Sequence, residues 1–102
     1  MEEDIRKGAV LLVMTDTEKL IKETAKNLAV RSLFIEAKAA ISLADVLKDT
    51  LDAFIMLRNS FFNLSRIEEN DIDKVISAVE RLESRIYFVE DKSLTMYKAS
   101  MN

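Results

Sequence analysis

Four short apolar runs divide the chain, and each of them has the length of a β-strand. Every run ends in polar residues, which is typical of buried strands that stop at the edge of a parallel sheet. The segments between the runs are longer and repeat their apolar residues at helical spacing, so they predict amphipathic helices. The runs are Ala9–Met14 (AVLLVM), Ser32–Ile35 (SLFI), Ala53–Leu57 (AFIML) and Ile86–Val89 (IYFV).

The order of these elements predicts an α/β fold, because strands and helices alternate along the whole chain. The first predicted helix has Thr15 or Asp16 as its cap, the third has Asn70, and the last lies in the C-terminal tail. The pattern therefore indicates β-α-β-α-β-α-β-α within a single domain of residues 1–102.

An internal repeat supports this fold. The stretch RSLFIEAK (Arg31–Lys38) returns as RIYFVEDK (Arg85–Lys92), with Arg, Phe, Glu and Lys in the same places. We therefore expect two pseudo-symmetric β-α-β-α repeats, about 9–51 and 52–102, that share one four-stranded, mainly parallel sheet. Right-handed crossovers and an approximate two-fold axis place the strands in the order 2-1-3-4, with helices on both faces.

An all-α bundle is the alternative, because two long stretches keep heptad spacing of their apolar residues. The chain has no Pro and one Gly, so its composition permits long helices. Against the bundle, both copies of the repeat carry β-branched and aromatic residues where strands are predicted. The two heptad stretches are Leu33, Ala37, Ala40, Ala44, Leu47, Leu51 and Phe54, and then Ile72, Val75, Val79, Leu82, Ile86 and Val89.

The α/β prediction places a binding groove between the two repeats. In parallel sheets, ligands bind beyond the carboxyl ends of the strands where the strand order reverses, here between strands 1 and 3. About eleven extra residues follow strand 3, and their apolar side chains either cover the end of the core or flank the groove. The predicted groove residues are Thr15, Asp16, Arg58, Asn59, Ser60, Phe61 and Phe62.

Composition narrows the chemistry that the chain can perform. There is no Cys or His, which removes disulfides, thiolate nucleophiles, and the commonest general base and metal ligand. The net charge of −3 provides no general attraction to nucleic acid or anionic lipid. The longest apolar run is far shorter than a membrane span and the N-terminus lacks a secretory pattern, so we expect an intracellular protein without a membrane partner.

Carboxylates at the predicted strand ends leave a second class of function open. Asp16, Glu36, Glu90 and Asp91 together could hold Mg²⁺, which prefers a few carboxylates with water. The layout resembles the acidic pocket of response-regulator receiver domains, but strand 3 ends in RNS and offers no phospho-accepting Asp. The single glycine, Gly8, precedes the first strand, so a Gly-rich phosphate loop is absent and we expect no cofactor.

Three lysines on the first predicted helix form a candidate nucleic-acid patch. Lys19, Lys22 and Lys26 share one face of that helix. Glu18 and Glu23 stand four residues from Lys22 and Lys19, so ion pairs along a solvated helix explain the same pattern. The main prediction is therefore a solvated helix face without a nucleic-acid partner. The alternative is a protein that binds nucleic acid weakly through these lysines.

The two-unit layout carried by RSLFIEAK and RIYFVEDK resembles small proteins of filamentous viruses that infect hyperthermophilic archaea, one of which is built from two similar motifs. The resemblance implies a role in interactions and assigns no catalytic or cofactor residue. We therefore predict a non-enzymatic protein-interaction module that binds a peptide or protein partner in the groove between the repeats or along an edge strand, with a homodimer as one arrangement. The alternative is a small signalling domain that responds to metal or phosphate.

Overall fold

Three long helices make up the chain. The computed structural model describes residues 2–102, and no strand occurs within that range. The helices are α1 (Glu2–Arg31), α2 (Ala37–Phe62) and α3 (Glu69–Ser100). They pack side by side into a rod with principal-axis extents of 55 × 18 × 17 Å.

The predicted α/β fold is therefore wrong, and the all-α alternative is the observed class. Ala9–Met14, Ala53–Leu57 and Ile86–Val89 lie inside the three helices, whereas Ser32–Ile35 belongs to the loop between α1 and α2. A short apolar run is compatible either with a strand or with part of a buried helix. The helix forms here because apolar residues continue at helical spacing on both sides of each run, without Pro to stop it.

The two β-α-β-α repeats and the strand order 2-1-3-4 are wrong as well, since residues 2–102 contain no sheet. Arg31–Lys38 spans the end of α1, the loop and the start of α2, whereas Arg85–Lys92 lies within α3. The two stretches have different structures, so their likeness is one of composition. The layout behind the resemblance to viral two-motif proteins is absent, and we base no function on it.

The buried residues follow one another in steps of three and four, apart from one step of seven between Phe54 and Phe61, which is the heptad pattern of coiled coils. In α3, five of the six residues predicted for a bundle are buried, Ile72 is half-buried, and Ser93 extends the seam. In α2, Leu43 and Thr50 are buried, whereas Ala44 and Leu51, which the predicted heptads contained, are exposed. The buried residues are Val10, Met14, Thr17, Ile21, Thr24 and Leu28 of α1, then Ala40, Leu43, Leu47, Thr50, Phe54 and Phe61 of α2, then Val75, Val79, Leu82, Ile86, Val89 and Ser93 of α3.

Contacts at the two ends of the rod establish the direction of each helix. Near the start of α1, the Arg6 guanidinium donates to the Ile67 carbonyl at 3.3 Å. At the end of α1, Arg31 contacts Glu90 of α3. Helices α1 and α3 therefore run parallel, and α2 runs antiparallel to both. Helix α3 packs closely against α1 and α2, whereas α1 and α2 contact each other less extensively.

The loop between α2 and α3 closes one end of the core. Phe61 and Ile67 are almost fully buried, and the Ile67 N–H donates to the Glu3 carboxylate at 3.1 Å. These two residues therefore cover the end of the core, as one of the two interpretations of this segment predicted. Phe62 and Leu64 remain partly exposed.

The helix caps also differ from the predicted ones. Thr15 and Asp16 lie in the interior of α1, and Asn70 lies in the first turn of α3. Helix α3 is capped by Glu68, whose N–H donates to the carboxylate of Asp71 at 3.0 Å. This bond is one half of a capping box, in which a side chain three residues into the helix satisfies the backbone of the cap residue.

We expect Phe54→Ala to lower the free energy of unfolding by about 3–5 kcal/mol, because its ring is buried at the centre of the heptad seam of α2. The matched control is Phe88→Ala on α3, where the ring is 54% exposed, with an expected change below about 1 kcal/mol. Urea denaturation followed by circular dichroism measures both. Equal losses for the two variants would contradict the observed core.

Candidate functional site

A groove lies open to solvent between α1 and α2. Its volume is about 370 Å³. A smaller groove of about 220 Å³ shares three of its lining residues and extends it along the helices. The walls are almost entirely aliphatic. The lining residues of the larger groove are Ala25, Leu28, Ala29 and Ser32 of α1, and Ala40, Ile41, Ala44 and Leu47 of α2.

Small side chains explain why this groove is open. In a heptad bundle, the residues directly beside the buried heptad positions close the gap between neighbouring helices. On the side where α1 meets α2, Ala25 and Ala44 occupy such positions and line both grooves. On the side where α1 meets α3, the partly buried residues Val13 and Leu20 pack against the core instead. A methyl group cannot fill the space that Val or Leu fills, so the α1–α2 junction remains uncovered.

Exposed apolar side chains continue the groove along the rod. On α2, Ile41 is 61% exposed, and Leu51, Ile55 and Phe62 are each 36% exposed. On α1, Leu12 is 70% exposed at the far end of the same surface. We refer to this surface as the α1–α2 face. Its apolar residues are Leu11, Ala25 and Ala29 of α1, and Ile41, Ala44, Leu51, Ile55 and Phe62 of α2, with Ile5 and Leu12 along its outer edge. Glu18, Lys22 and Lys48 lie among them by heptad position.

The α1–α2 face is large for an exposed apolar surface on a small protein. From Ile5 to Ala29 it extends along α1 for about 36 Å at 1.5 Å per residue. A group of exposed apolar side chains around a groove marks an interaction site or an aggregation liability. The sequence pattern did contain a signal for it, because Ala44 and Leu51 stand at apolar heptad spacing beside the observed seam.

The seven predicted groove residues do not converge on one cleft. Phe61 is in the core, and Ser60 lies beside it on the side of α2 that faces α3. Phe62 packs edge-to-face on Phe61, with 5.1 Å between ring centroids, and its exposed part belongs to the α1–α2 face.

The other four predicted residues are spread over α1 and α2. The Arg58 guanidinium lies 5.8 Å from the centroid of the Phe54 ring, within the range of a cation–π contact. Thr15 is exposed and donates its hydroxyl to the Leu11 carbonyl at 2.8 Å. By heptad position, Arg58 and Thr15 border the α1–α2 face. Asp16 and Asn59 are exposed, and Asp16 points away from that face.

The carboxylates of the magnesium hypothesis are likewise dispersed. Asp16 lies on α1, Glu36 in the first loop, and Glu90 and Asp91 on α3. Within residues 2–102, no three acidic side chains come together as metal ligands would. The predicted strand ends that grouped these residues do not exist.

Glu90 instead belongs to a polar cluster between the end of α1 and α3. Arg31 donates to the Glu90 carboxylate, to the Glu90 carbonyl at 3.2 Å and to the Ser93 hydroxyl at 2.9 Å. Asn27 donates to the other Glu90 oxygen at 2.6 Å. The Arg31 and Glu90 side chains are 16% and 20% exposed. Each charge has a partner in a partly buried site, so the cluster holds α1 and α3 in register.

The lysines of the candidate nucleic-acid patch are exposed on α1. Lys22 forms an ion pair with Glu18 at 3.5 Å, as the spacing predicted. Lys19 and Lys26 form no ion pair within residues 2–102. These two lysines lie along the outer edge of the α1–α2 face, where α1 borders solvent.

Comparisons with protein families, with curated proteins and with solved structures found no match to this chain. Although all three helices exceed the length of a bilayer span, none within residues 2–102 carries the uninterrupted apolar stretch that crossing a membrane requires.

We expect Arg31→Ala to lower the free energy of unfolding by about 1–3 kcal/mol, because it leaves the Glu90 carboxylate partly buried without its cation. Adding Glu90→Ala should cost less than the sum of the two single changes, which urea denaturation in a double-mutant cycle measures. Arg66→Ala is the control, since the Arg66–Glu68 pair is mostly exposed and should change stability by less than about 0.5 kcal/mol. Strict additivity would show that the cluster does not act as a unit.

Proposed function

We propose that this protein is a non-enzymatic protein-interaction module that binds an amphipathic helix of its partner on the α1–α2 face. The observation that carries the proposal is the apolar groove between α1 and α2, together with the exposed apolar side chains that flank it over about 36 Å of the rod. This docking site is not the one that the sequence predicted. The predicted groove lay between two β-α-β-α repeats, whereas the α1–α2 face is formed by two antiparallel helices.

The shape of the face fits a helical partner. Helices α1 and α2 form two ridges with a groove between them. A helix of the partner can lie in this groove, with its apolar residues at i, i+3, i+4 and i+7 pointing into it. The alanines at its floor, Ala25, Ala29 and Ala44, allow the backbone of such a helix to approach closely. Ile41 and Leu51 stand at the rim and would pack against its flanks.

Charges along the two edges of the face predict the charge pattern of the partner helix. Lys19 and Lys26 lie on the outer edge of α1, and Asp45 and Asp52 lie at the equivalent heptad position of α2. All four side chains are exposed and without an ion pair within residues 2–102. A partner helix therefore matches the face best with acidic residues towards α1 and basic residues towards α2.

A synthetic peptide tests the proposal. The probe is an amphipathic helix of about 24 residues, which spans the face, with Glu along one flank and Lys along the other. We expect it to bind, and we expect Ala44→Glu to weaken binding at least about tenfold, because the new carboxylate would be buried without a partner. Fluorescence anisotropy of the labelled peptide measures the affinity.

The matched control is Ala9→Glu, which introduces the same charge at an exposed position of α1 outside the face. A peptide of the same composition, with its apolar residues scattered around the helix, controls for non-specific binding. If the two variants bind the amphipathic peptide with equal affinity, or if both peptides bind alike, the α1–α2 face is not the docking surface.

A further inference from the structure

We infer that the partner of the α1–α2 face is a second copy of this chain, whose own amphipathic helices α1 and α2 both pack on the face, so that two copies form a face-to-face homodimer. The inference rests on the proposed function, because it uses the same surface and names its occupant. In the proposed dimer, the two-fold axis runs parallel to the rod, and α1 of each copy packs against α2 of the other.

Residue levels along the rod support this arrangement. Within one chain, the grooves show which parts of α1 and α2 lie side by side: residues 25–32 of α1 lie beside residues 40–47 of α2, and residues 21–25 lie beside residues 44–51. A two-fold axis parallel to the rod keeps every residue at its own level. The same correspondence therefore holds between α1 of one copy and α2 of the other.

The edge charges then meet as opposite pairs. At matching levels, Lys19 faces Asp52 of the second copy, and Lys26 faces Asp45 of the second copy. The two-fold axis repeats both pairs on the other edge, so four ion pairs would flank the apolar contact. Opposite charges beside an apolar seam are the arrangement that sets partner and orientation in coiled coils. These four side chains have no partner within the monomer, which is consistent with a partner outside it.

The other face-to-face arrangement is disfavoured by the same charges. A two-fold axis perpendicular to the rod would place α1 against α1 and α2 against α2. Lys19 and Lys26 would then face lysines, and Asp45 and Asp52 would face aspartates, which costs free energy through like-charge contact.

Two like-charge contacts, related by the two-fold axis, remain in the proposed dimer. In each of them Lys22 of one copy lies level with Lys48 of the other, near the centre of the face. Glu18, which forms an ion pair with Lys22 at 3.5 Å, lies one turn away and can offset part of this repulsion. The two contacts make the dimer weaker than an uncharged face would.

The size of the face is adequate for a dimer. With a length of about 36 Å and the 18 Å width of the rod, it covers roughly 650 Å² in projection. Specific interfaces bury about 800 Å² of accessible surface on each partner, and the accessible surface of a ridged face exceeds its projection. The face is therefore close to the size that a dimer of moderate affinity requires.

Analytical ultracentrifugation over a range of concentrations tests the dimer with charge-reversed pairs. We expect the unaltered protein to reach the mass of two chains. Lys19→Glu with Lys26→Glu should raise the dimer dissociation constant at least about tenfold, and so should Asp45→Lys with Asp52→Lys. An equimolar mixture of the two double variants should restore the dimer, because every pair is again of opposite sign.

The control is Lys74→Glu with Arg81→Glu, a double charge reversal at exposed positions of α3 that should leave the dissociation constant unchanged. If the control weakens the dimer as much as the edge variants, or if the mixture fails to restore it, the proposed pairing is wrong.

Crosslinking distinguishes the two axes, and the absence of native Cys makes single-cysteine variants specific. A mixture of Lys26→Cys and Asp45→Cys treated with a short bis-maleimide should give the mixed crosslinked dimer. Predominant crosslinking of Lys26→Cys to itself would overturn the parallel axis.

Failure of the dimer and failure of the proposed function give different results. A protein that stays monomeric at about millimolar concentration, yet binds the amphipathic peptide in an Ala44-dependent way, refutes the dimer and supports a different helical partner. If the protein forms the charge-paired dimer, the bound fraction of peptide should fall as the fraction of dimer rises, because both use the same face. A protein that neither self-associates nor binds the peptide refutes both.

Discussion

The steps of three and four residues between buried positions are the constraint on which the rest of this structure depends. Most of the stability of a helix in a protein comes from burying an apolar stripe against a neighbour. A repeat of 3.5 residues keeps that stripe aligned with its neighbours along the whole helix. Because each helix maintains the repeat over several turns, the chain forms a long rod with a continuous core, from Val10 at one end to Ser93 at the other.

Polar residues within and beside this seam differ in what they require of neighbouring helices. Thr17 and Thr50 occupy core positions, and their hydroxyls donate to the carbonyls of Val13 and Val46 in their own helices at 3.0 and 2.8 Å. Because each hydroxyl is satisfied within its own helix, these residues tolerate burial without a partner on another helix. The cluster of Arg31 with Glu90 does restrict the pairing of α1 with α3, since a shift by one turn would leave a partly buried charge without its counter-ion.

The open face follows from the same seam. A three-helix bundle needs large residues on both sides of each seam to close all three junctions. Val13 and Leu20 occupy such positions where α1 meets α3, whereas Ala25 and Ala44 occupy them where α1 meets α2. The aliphatic residues that would otherwise face solvent, such as Ile41 and Ile55, then form a second apolar surface on the outside of the rod. The core residues are buried without any contribution from this surface.

Much of the bundle was readable from the heptads of the second half of the chain. In α3, Val75 to Val89 follow the observed seam at each predicted position. The strands were predicted wrongly for a local reason. Runs such as Ile86–Val89 consist of consecutive apolar residues, and so few residues cannot distinguish a strand from a helix whose exposed side is also apolar. Phe88 and Tyr87 are such exposed neighbours of the seam.

The sequence by itself determined that long helices were possible, through the absence of Pro and the heptads of α3, and that catalysis by Cys or His was impossible. Only the tertiary structure decided which of two apolar stripes on α2 faces the core. Leu43 and Thr50 compete there with Ala44 and Leu51, and both stripes keep heptad spacing. Which stripe is buried depends on the neighbouring helices. Helices α1 and α3 together bury the stripe of Leu43 and Thr50 more completely, and the stripe of Ala44 and Leu51 remains outside as part of the α1–α2 face. Residues far apart in the chain, such as Arg31 and Glu90, acquire their partners only through that packing.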